Sequence, residues 1–193
     1  FEWLAKIPIW HTPTLVNWRT MFTLGTAEGD PEKDHLAYAS PGLLEFLAIN
    51  RKMSNVSAET VRGLVAAADS VAIPVSDMQK AGVGILAGCD AMIAGFCLHE
   101  ELRLLVKGGM SAAAALQTAT INPARALALE KVSGTVDAGK RADLVLLDAN
   151  PLDDIGNVGR IAAVVMNGRL LDRQQLDATL AAVKKQFQVL RPN

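Results

Sequence analysis

The sequence has few cysteines, almost no net charge and no long apolar run, and each shortage excludes a class of protein. Two cysteines are too few for the disulfide framework of a small secreted domain. Lysine and arginine number 19 against 20 for aspartate and glutamate, so the net charge of -1 provides no basic surface for nucleic acid or an acidic membrane. No apolar stretch is long enough to span a bilayer. We therefore expect neither nucleic acid nor a membrane among the partners.

The composition is otherwise that of an ordinary globular protein. Half of the 193 residues are apolar and 20% are charged, which suffices for one domain with a sizeable core or for two small ones. The chain begins at Phe1 without a signal-peptide pattern, which favours a processed or truncated start and leaves the localisation open. Cys89 and Cys97 could pair, but both flank a turn where chemistry is expected, and we predict reduced thiols.

The most informative segment is Gly88-Cys89-Asp90, which directly follows an apolar run. The residues of Ala81–Ala87 are small or apolar and predict a buried parallel strand. An aspartate at the carboxyl end of such a strand lies where (β/α) barrels place their catalytic groups. Taken alone, Asp90 would more simply cap the turn that follows the strand. Its interpretation therefore depends on the motifs that come after it.

Three motifs follow Asp90 in a characteristic order: Leu98-His99-Glu100-Glu101-Leu102, Ala119-Thr120-Ile121-Asn122-Pro123-Ala124 and Gly139-Lys140-Arg141-Ala142-Asp143-Leu144-Val145. Together with Asp90 they resemble the C-terminal part of a metal-dependent amidohydrolase of the imidazolonepropionase-like and prolidase-like branch. The resemblance runs from about Ile7 to Arg173. It implies an α/β fold that contains the last strands and helices of a (β/α)8 TIM-type barrel, followed by the C-terminal part of a small β-sandwich.

The resemblance also implies an organisation in three parts. Residues 1–130 would form the C-terminal part of the hydrolase barrel, residues 131–173 strands of the β-sandwich, and residues 174–193 a C-terminal helix. Within the first part, Ile7–Leu15 is strand-like and ends in Pro-Thr-Leu, as the seventh barrel strand of the family does. Asp90 would then end the eighth strand.

Local patterns predict further elements. Helices are expected over Pro41–Lys52, over Ala58–Ser70 with Ser57 as its N-cap, as a turn over Ser76–Lys80, over Ala112–Thr118 capped by Ser111, and over Gln174–Leu190. Strands are expected over Gly134–Val136 and Ala142–Asp148, and Asn167-Gly168 predicts a two-residue hairpin between Ala162–Met166 and Arg169–Leu171.

The helix after Asp90 is predicted to be amphipathic. Its apolar face would consist of Leu98, Leu102, Leu105 and Val106, and its solvent face largely of Glu100, Glu101, Arg103 and Lys107. Trp3, Trp10 and Trp18 cluster near the start of the chain. They could mark a core edge or an exposed surface, and we favour the core.

The family resemblance gives Asp90 two roles, as metal ligand and as catalytic proton shuttle. A divalent metal, zinc in one or two copies, would lower the pKa of a bound water, and the carboxylate would pass its proton to the leaving nitrogen. Cys89 stands where many members have threonine or serine, and its thiol could bind metal or simply pack. The family also uses a His-x-His pair and further histidines from earlier strands. Among the 3 histidines of this chain no such pair occurs.

The substrate site is predicted from the loops around the strand ends. Residues 12–15 and 91–96, the latter including Met92, would shape the pocket, and His11 and His99 are candidate substrate-binding residues. For His11 a packed or solvated role is the simpler alternative, and for His99 a helix-capping one. His35 lies in a charged loop and is predicted to be solvated.

Two functions from different classes remain open at this point. The chain could be the C-terminal portion of a metal-dependent amidohydrolase that cleaves C–N bonds in small amide, dipeptide-like or cyclic amide substrates. The missing N-terminal part of the barrel, or a second copy of the chain, would then be its partner. Alternatively, it could be a non-catalytic truncated remnant that acts as a structural or self-associating module.

Overall fold

The computed structural model describes residues 1–23, 33–53, 56–93 and 95–189, and within them the chain forms a mixed α/β structure. The helices are α1 (Glu2–Ala5), α2 (Leu15–Thr23), α3 (Pro41–Met53), α4 (Ala58–Ser70), α5 (Ala72–Lys80), α6 (Cys97–Lys107), α7 (Ala112–Thr118), α8 (Ile121–Ala126) and α9 (Arg173–Val189). The strands are β1 (Trp10–His11), β2 (Gly84–Ile85), β3 (Leu144–Leu147), β4 (Ile161–Met166) and β5 (Arg169–Leu171). Short 3₁₀ helices cover Lys33–Tyr38 and Ile155–Gly159. None of the helices in these ranges is long and apolar enough to cross a membrane.

The first two strands pair in parallel, as predicted for the strand that precedes Asp90. Trp10 lies opposite Gly84 and His11 opposite Ile85, and the Leu86 N–H extends the ladder by donating to the His11 carbonyl at 2.9 Å. A β-carbon on Gly84 would lie 2.5 Å from the Trp10 ring. Glycine at position 84 therefore allows the two strands to approach each other. Both strands have only two residues and are shorter than the predicted segments Ile7–Leu15 and Ala81–Ala87.

The main core lies where α2, α5 and α6 pack around β2. Leu15 and Val16 at the start of α2 meet Ile85 of β2, and Leu102 and Leu105 of α6 complete the contact. These five side chains are almost fully buried. The apolar positions of α6 recur at the three- and four-residue spacing of one helix face, which directs them into this core.

The predicted helix caps are confirmed. The Ser57 hydroxyl accepts a hydrogen bond from the Thr60 N–H at 3.1 Å, and the Ser111 hydroxyl accepts one from the Ala114 N–H at 3.1 Å. Each satisfies a donor that the first turn of a helix leaves free. The predicted turn over Ser76–Lys80 is only the second half of α5, which begins at Ala72.

The second sheet is antiparallel, with the strand order β3-β4-β5. The predicted hairpin is confirmed, because Asn167 and Gly168 both have positive φ, at 50° and 78°, as a type I′ turn requires. The predicted strand over Gly134–Val136 is wrong. Those residues form a bend without a ladder partner, and the Val136 side chain is 82% exposed.

The expectation that the three tryptophans pack into the core is also wrong. Trp3 is 65% exposed, Trp10 38% and Trp18 50%. Trp3 lies on the short helix α1, Trp10 on β1 and Trp18 on α2. Of the strands in the described ranges, β1 has only β2 as a neighbour, so its other edge carries no covering strand there.

Replacing Gly108 by alanine is expected to lower the free energy of unfolding by about 2–3 kcal/mol, because an added β-carbon overpacks a contact between two helices. That atom would lie 2.5 Å from both the β-carbon and the carbonyl oxygen of Ala72 at the start of α5. The matched control is Gly63→Ala in the exposed middle of α4, where nothing lies within 4 Å. There the same change should stabilise by about 0.5–1 kcal/mol. Urea unfolding of both variants measures the difference, and equal effects would contradict it.

Candidate functional site at the carboxyl ends of the parallel strands

The candidate site begins where the chain leaves the parallel strands. A β-carbon on Gly88 would lie 2.5 Å from the methyl group of Thr12, so glycine allows the segments after β1 and β2 to lie against each other. Asp90 follows with φ of 42°, a left-handed conformation that is uncommon for a residue other than glycine. Its side chain is exposed at this end of the strands. The carboxylate thus lies at the edge where parallel strands present catalytic groups.

A residue that sequence reasoning missed holds the Asp90 side chain. The Asn17 side-chain amide donates a hydrogen bond to Asp90 Oδ2 at 2.9 Å. Asn17 belongs to the first turn of α2, which follows Thr14 with φ of 48°. The residues are 73 positions apart in the sequence, so no local pattern could indicate the contact.

Glu101 is buried, and its predicted place on the solvent face of α6 is wrong. The side chain is 0% exposed. Glu101 is three residues after Leu98 and four before Leu105, which puts it inside the apolar stripe, so the periodicity itself contained the signal. Its carboxylate oxygens accept from the Leu15 N–H at 3.0 Å and the Val16 N–H at 2.9 Å.

The burial of Glu101 changes its acidity. Removal from water raises the pKa of its carboxyl from 4.5 to about 7, the two backbone hydrogen bonds act in the opposite direction, and the nearby Glu100 charge adds a smaller rise. The loss of solvation is the largest of these effects, so the pKa rises although both oxygens accept hydrogen bonds.

A partly exposed network of charges also joins these helices. Arg19 of α2 lies 3.2 Å from a carboxylate oxygen of Glu100 on α6 and 3.8 Å from one of Asp69 on α4. Arg103 reaches the other Glu100 oxygen at 3.5 Å, and Lys107 pairs with Asp69. Such partly exposed pairs contribute little individually to the free energy of unfolding.

The two cysteines form a disulfide, and the prediction of reduced thiols is wrong. Cys89 precedes Asp90 and Cys97 begins α6, with their α-carbons 5.8 Å apart. The two cysteines are eight positions apart in the sequence, and their α-carbon separation is in the usual range for a disulfide. The bond links the residue before Asp90 to the first residue of α6. Cys89 therefore offers no thiol to a metal, which removes one of the two roles predicted for it.

The other predicted site residues lie around this loop. Met92 is half-buried within it, two residues after Asp90, and His11 is half-buried in β1. His99 is half-buried on the first turn of α6, where burial and then the charges of Arg103 and His35 lower the pKa of its imidazole. His35 is not simply solvated, since its ring stacks on Phe96 with centroids 4.0 Å apart. Burial is also the main cause that lowers the pKa of His35.

Within the described ranges, no three histidine, cysteine, aspartate or glutamate side chains converge on one point. A catalytic zinc site takes three protein ligands and one open position. The donor set around Asp90 is a single carboxylate, with an oxygen already bound to an amide and the neighbouring sulfur in a disulfide. These residues alone therefore do not fit a complete metal site.

Parallel strands accompanied by helices, with a carboxylate after one strand end, define a protein of the α/β class, and comparison with known proteins identifies the family. The profile of the Amidohydrolase family matches residues 31–171. The chain belongs to this family, and the resemblance predicted from its motifs is confirmed.

Two curated relatives show where this chain matches the family. The 5-methylthioadenosine/S-adenosylhomocysteine deaminase of Moorella thermoacetica is 36% identical over 141 residues, which are 61% of this chain and 33% of the relative. The imidazolonepropionase of Thermoplasma acidophilum is 43% identical over 60 residues, 31% of this chain and 14% of the relative. The chain thus spans at most about a third of the length of these relatives.

Solved structures agree with this assignment. A Xaa-Pro dipeptidase with methionine bound in its active site is 31% identical, with a TM-score of 0.52 over 66% of this chain and 32% of that one. The bottromycin amidohydrolase superposes over 93% of this chain and 40% of its own, with a TM-score of 0.76 at 22% identity. The latter likeness shows the fold alone, and that fold is of the TIM-barrel type found in amidohydrolases.

Proposed function

We propose that this chain is the C-terminal portion of a hydrolase that cleaves C–N bonds in small amide, dipeptide-like or cyclic amide substrates. Family membership supports the reaction class, because its relatives include a deaminase, an imidazolonepropionase and a Xaa-Pro dipeptidase. Deamination and peptide hydrolysis both break a bond between carbon and nitrogen with water as the nucleophile.

The observation that carries the proposal is the Asp90 carboxylate at the carboxyl end of β2. It is exposed and is oriented by the Asn17 amide at 2.9 Å. In the proposed reaction Asp90 accepts a proton from the attacking water and donates it to the nitrogen that leaves. Both transfers need a carboxylate at a fixed position beside an open pocket.

The pocket itself is proposed to lie between the loops that follow β1 and β2. Met92 lies two residues after Asp90, His11 is the last residue of β1, and His99 lies in the first turn of α6. We propose these three residues as contacts to the substrate. The disulfide between Cys89 and Cys97 would restrain the segment that carries Asp90 and Met92.

Members of this family generally use a divalent metal, and we propose that Asp90 is the contribution of this chain to such a site, with zinc as the ion. Within the described ranges no three possible ligand side chains converge, so the proposed site needs further ligands from elsewhere. The proposal therefore requires the rest of a barrel, either from upstream sequence or from a second copy.

The exposed apolar surface supports the existence of such a partner. Trp3, Trp10 and Trp18 are all more than a third exposed, and Val145 and Leu146 of β3 are 57% and 63% exposed. Large exposed apolar side chains are typical of interaction surfaces when they form a patch. We propose that the remaining barrel and sandwich strands cover them.

The proposal is tested by the zinc content of the complete protein that carries this chain. We expect near-stoichiometric zinc, lost in Asp90→Ala and retained in the control Asp77→Ala, whose carboxylate pairs with Lys80 on the surface of α5. Elemental analysis per mole of protein measures this. Equal zinc in both variants, or none in any protein, would overturn the proposal. A defined metal-free oligomer without turnover would favour the structural module instead.

A further inference from the structure

The buried carboxylate of Glu101 connects two helices that are distant in sequence. It belongs to α6, yet it accepts hydrogen bonds from the N–H groups of Leu15 and Val16, the first two residues of α2. The first N–H groups of a helix have no partner inside the helix, and a negative charge there is favourable. A helix is normally capped by the residue that directly precedes it, but Glu101 is 85 residues away from Val16 in the sequence. It therefore fixes where α2 begins relative to α6.

The same turn of α2 carries the side chain that contacts Asp90. Asn17 follows Val16 directly, and its amide donates to Asp90 Oδ2 at 2.9 Å. Thr14 and Asp90 both have left-handed backbone conformations, with φ of 48° and 42°. Neither is glycine, so the surrounding contacts must maintain these conformations. The two hydrogen bonds to Glu101 come from the two residues directly after Thr14, and the Thr14 carbonyl itself accepts from the Trp18 N–H at 3.2 Å.

We infer that Glu101 is a positioning residue, which holds the first turn of α2 so that Asn17 orients the Asp90 carboxylate. This inference rests on the proposed role of Asp90. Glu101 does not touch the reacting atoms. It acts through two backbone hydrogen bonds and one side-chain amide, a path that runs from α6 through α2 to the loop after β2.

A carboxylate at position 101 suits this role better than an amide. In its ionised form, above its pKa of about 7, both of its oxygens accept, one from each N–H, and neither can donate. Glutamine has nearly the same shape, but its NH₂ group would face an N–H and lose one of the two bonds. Glu100, the next residue, also reaches α2, although only through the side chain of Arg19. It is therefore a matched control that lacks the backbone contact.

The test is nuclear magnetic resonance of the isotope-labelled chain. At pH 8, above the pKa of about 7 of Glu101, the hydrogen bond to Asp90 should shift the wild-type Asn17 side-chain amide signals away from those of a solvent-exposed amide, and Asp90→Ala identifies this shift by abolishing it. We expect Glu101→Gln to reduce the shift to the size seen in Asp90→Ala, and Glu100→Gln to leave it as in wild type. Dispersed backbone signals show that each variant is folded.

The inference is overturned if the Asn17 amide signal of Glu101→Gln shifts as much as that of wild type. It is also overturned if the wild-type protein shows no such shift. If Glu101→Gln does not fold, Glu101→Asp gives the same readout, since it retains the charge but shortens the reach to α2. The measurement needs neither metal nor substrate. Failure of the inference is thus distinct from failure of the proposed function, which the zinc content of Asp90→Ala reports.

Discussion

Replacing Asp90 by asparagine is expected to lower kcat of the proposed hydrolase about 100- to 10,000-fold, the usual contribution of a positioned general acid–base group. Asparagine has the same size and still offers an oxygen to the Asn17 amide, which contacts Asp90 at 2.9 Å. The local geometry is therefore retained while the proton acceptor is lost. Because the group acts in the transition state, kcat and kcat/KM should fall together.

Steady-state hydrolysis of a panel of small amides and dipeptides measures this effect. The control is Asp77→Asn on α5, which removes a carboxylate of the same kind whose partner is the exposed Lys80 at 3.3 Å. A surface pair of this type contributes little to stability, so the control should retain wild-type turnover. Unchanged kcat in Asp90→Asn would remove Asp90 from the reaction. A rise in KM alone would make it a binding residue.

The elements that sequence reasoning predicted well depend on contacts within a few residues. Ser57 and Ser111 each cap a helix by accepting a hydrogen bond from the N–H three residues ahead. Asn167-Gly168 forms a hairpin turn because both residues readily adopt positive φ. The position of Asp90 after a parallel strand was also predictable, because the apolar run and the turn that follows it are contiguous.

The errors concern contacts between distant parts of the chain. The prediction from sequence places Glu101 on the solvent face of α6, although the helical period places it beside buried leucines. Only the fold shows the two N–H groups that it accepts hydrogen bonds from. Asn17 could not be linked to Asp90 from a separation of 73 residues. The exposure of Trp3, Trp10 and Trp18 depends on which strands accompany β1, and their own sequence does not specify that.

Raising the pH from about 4.5 to 8 is expected to remove about 3 kcal/mol of stability through Glu101 alone. Burial raises the pKa of its carboxyl from 4.5 to about 7, a difference equivalent to about 3 kcal/mol. Between these values the folded chain holds a proton that the unfolded chain has released, so the free energy of unfolding falls as pH rises. The contribution is complete below pH 4.5 and is lost as pH rises through 7.

The effect of Glu101 must be separated from that of the histidines. The pKa values of His35 and His99 are lowered by burial, so these groups stabilise the fold as pH rises toward 6.5 and oppose the trend from Glu101. Glu101→Gln retains both histidines and removes only the carboxyl. Urea unfolding of wild type and Glu101→Gln at intervals from pH 4.5 to 8 should therefore show the wild type losing about 3 kcal/mol relative to the variant. Parallel curves would mean that Glu101 carries the same charge in the folded and unfolded chains, and that its hydrogen bonds to α2 fully compensate for its burial.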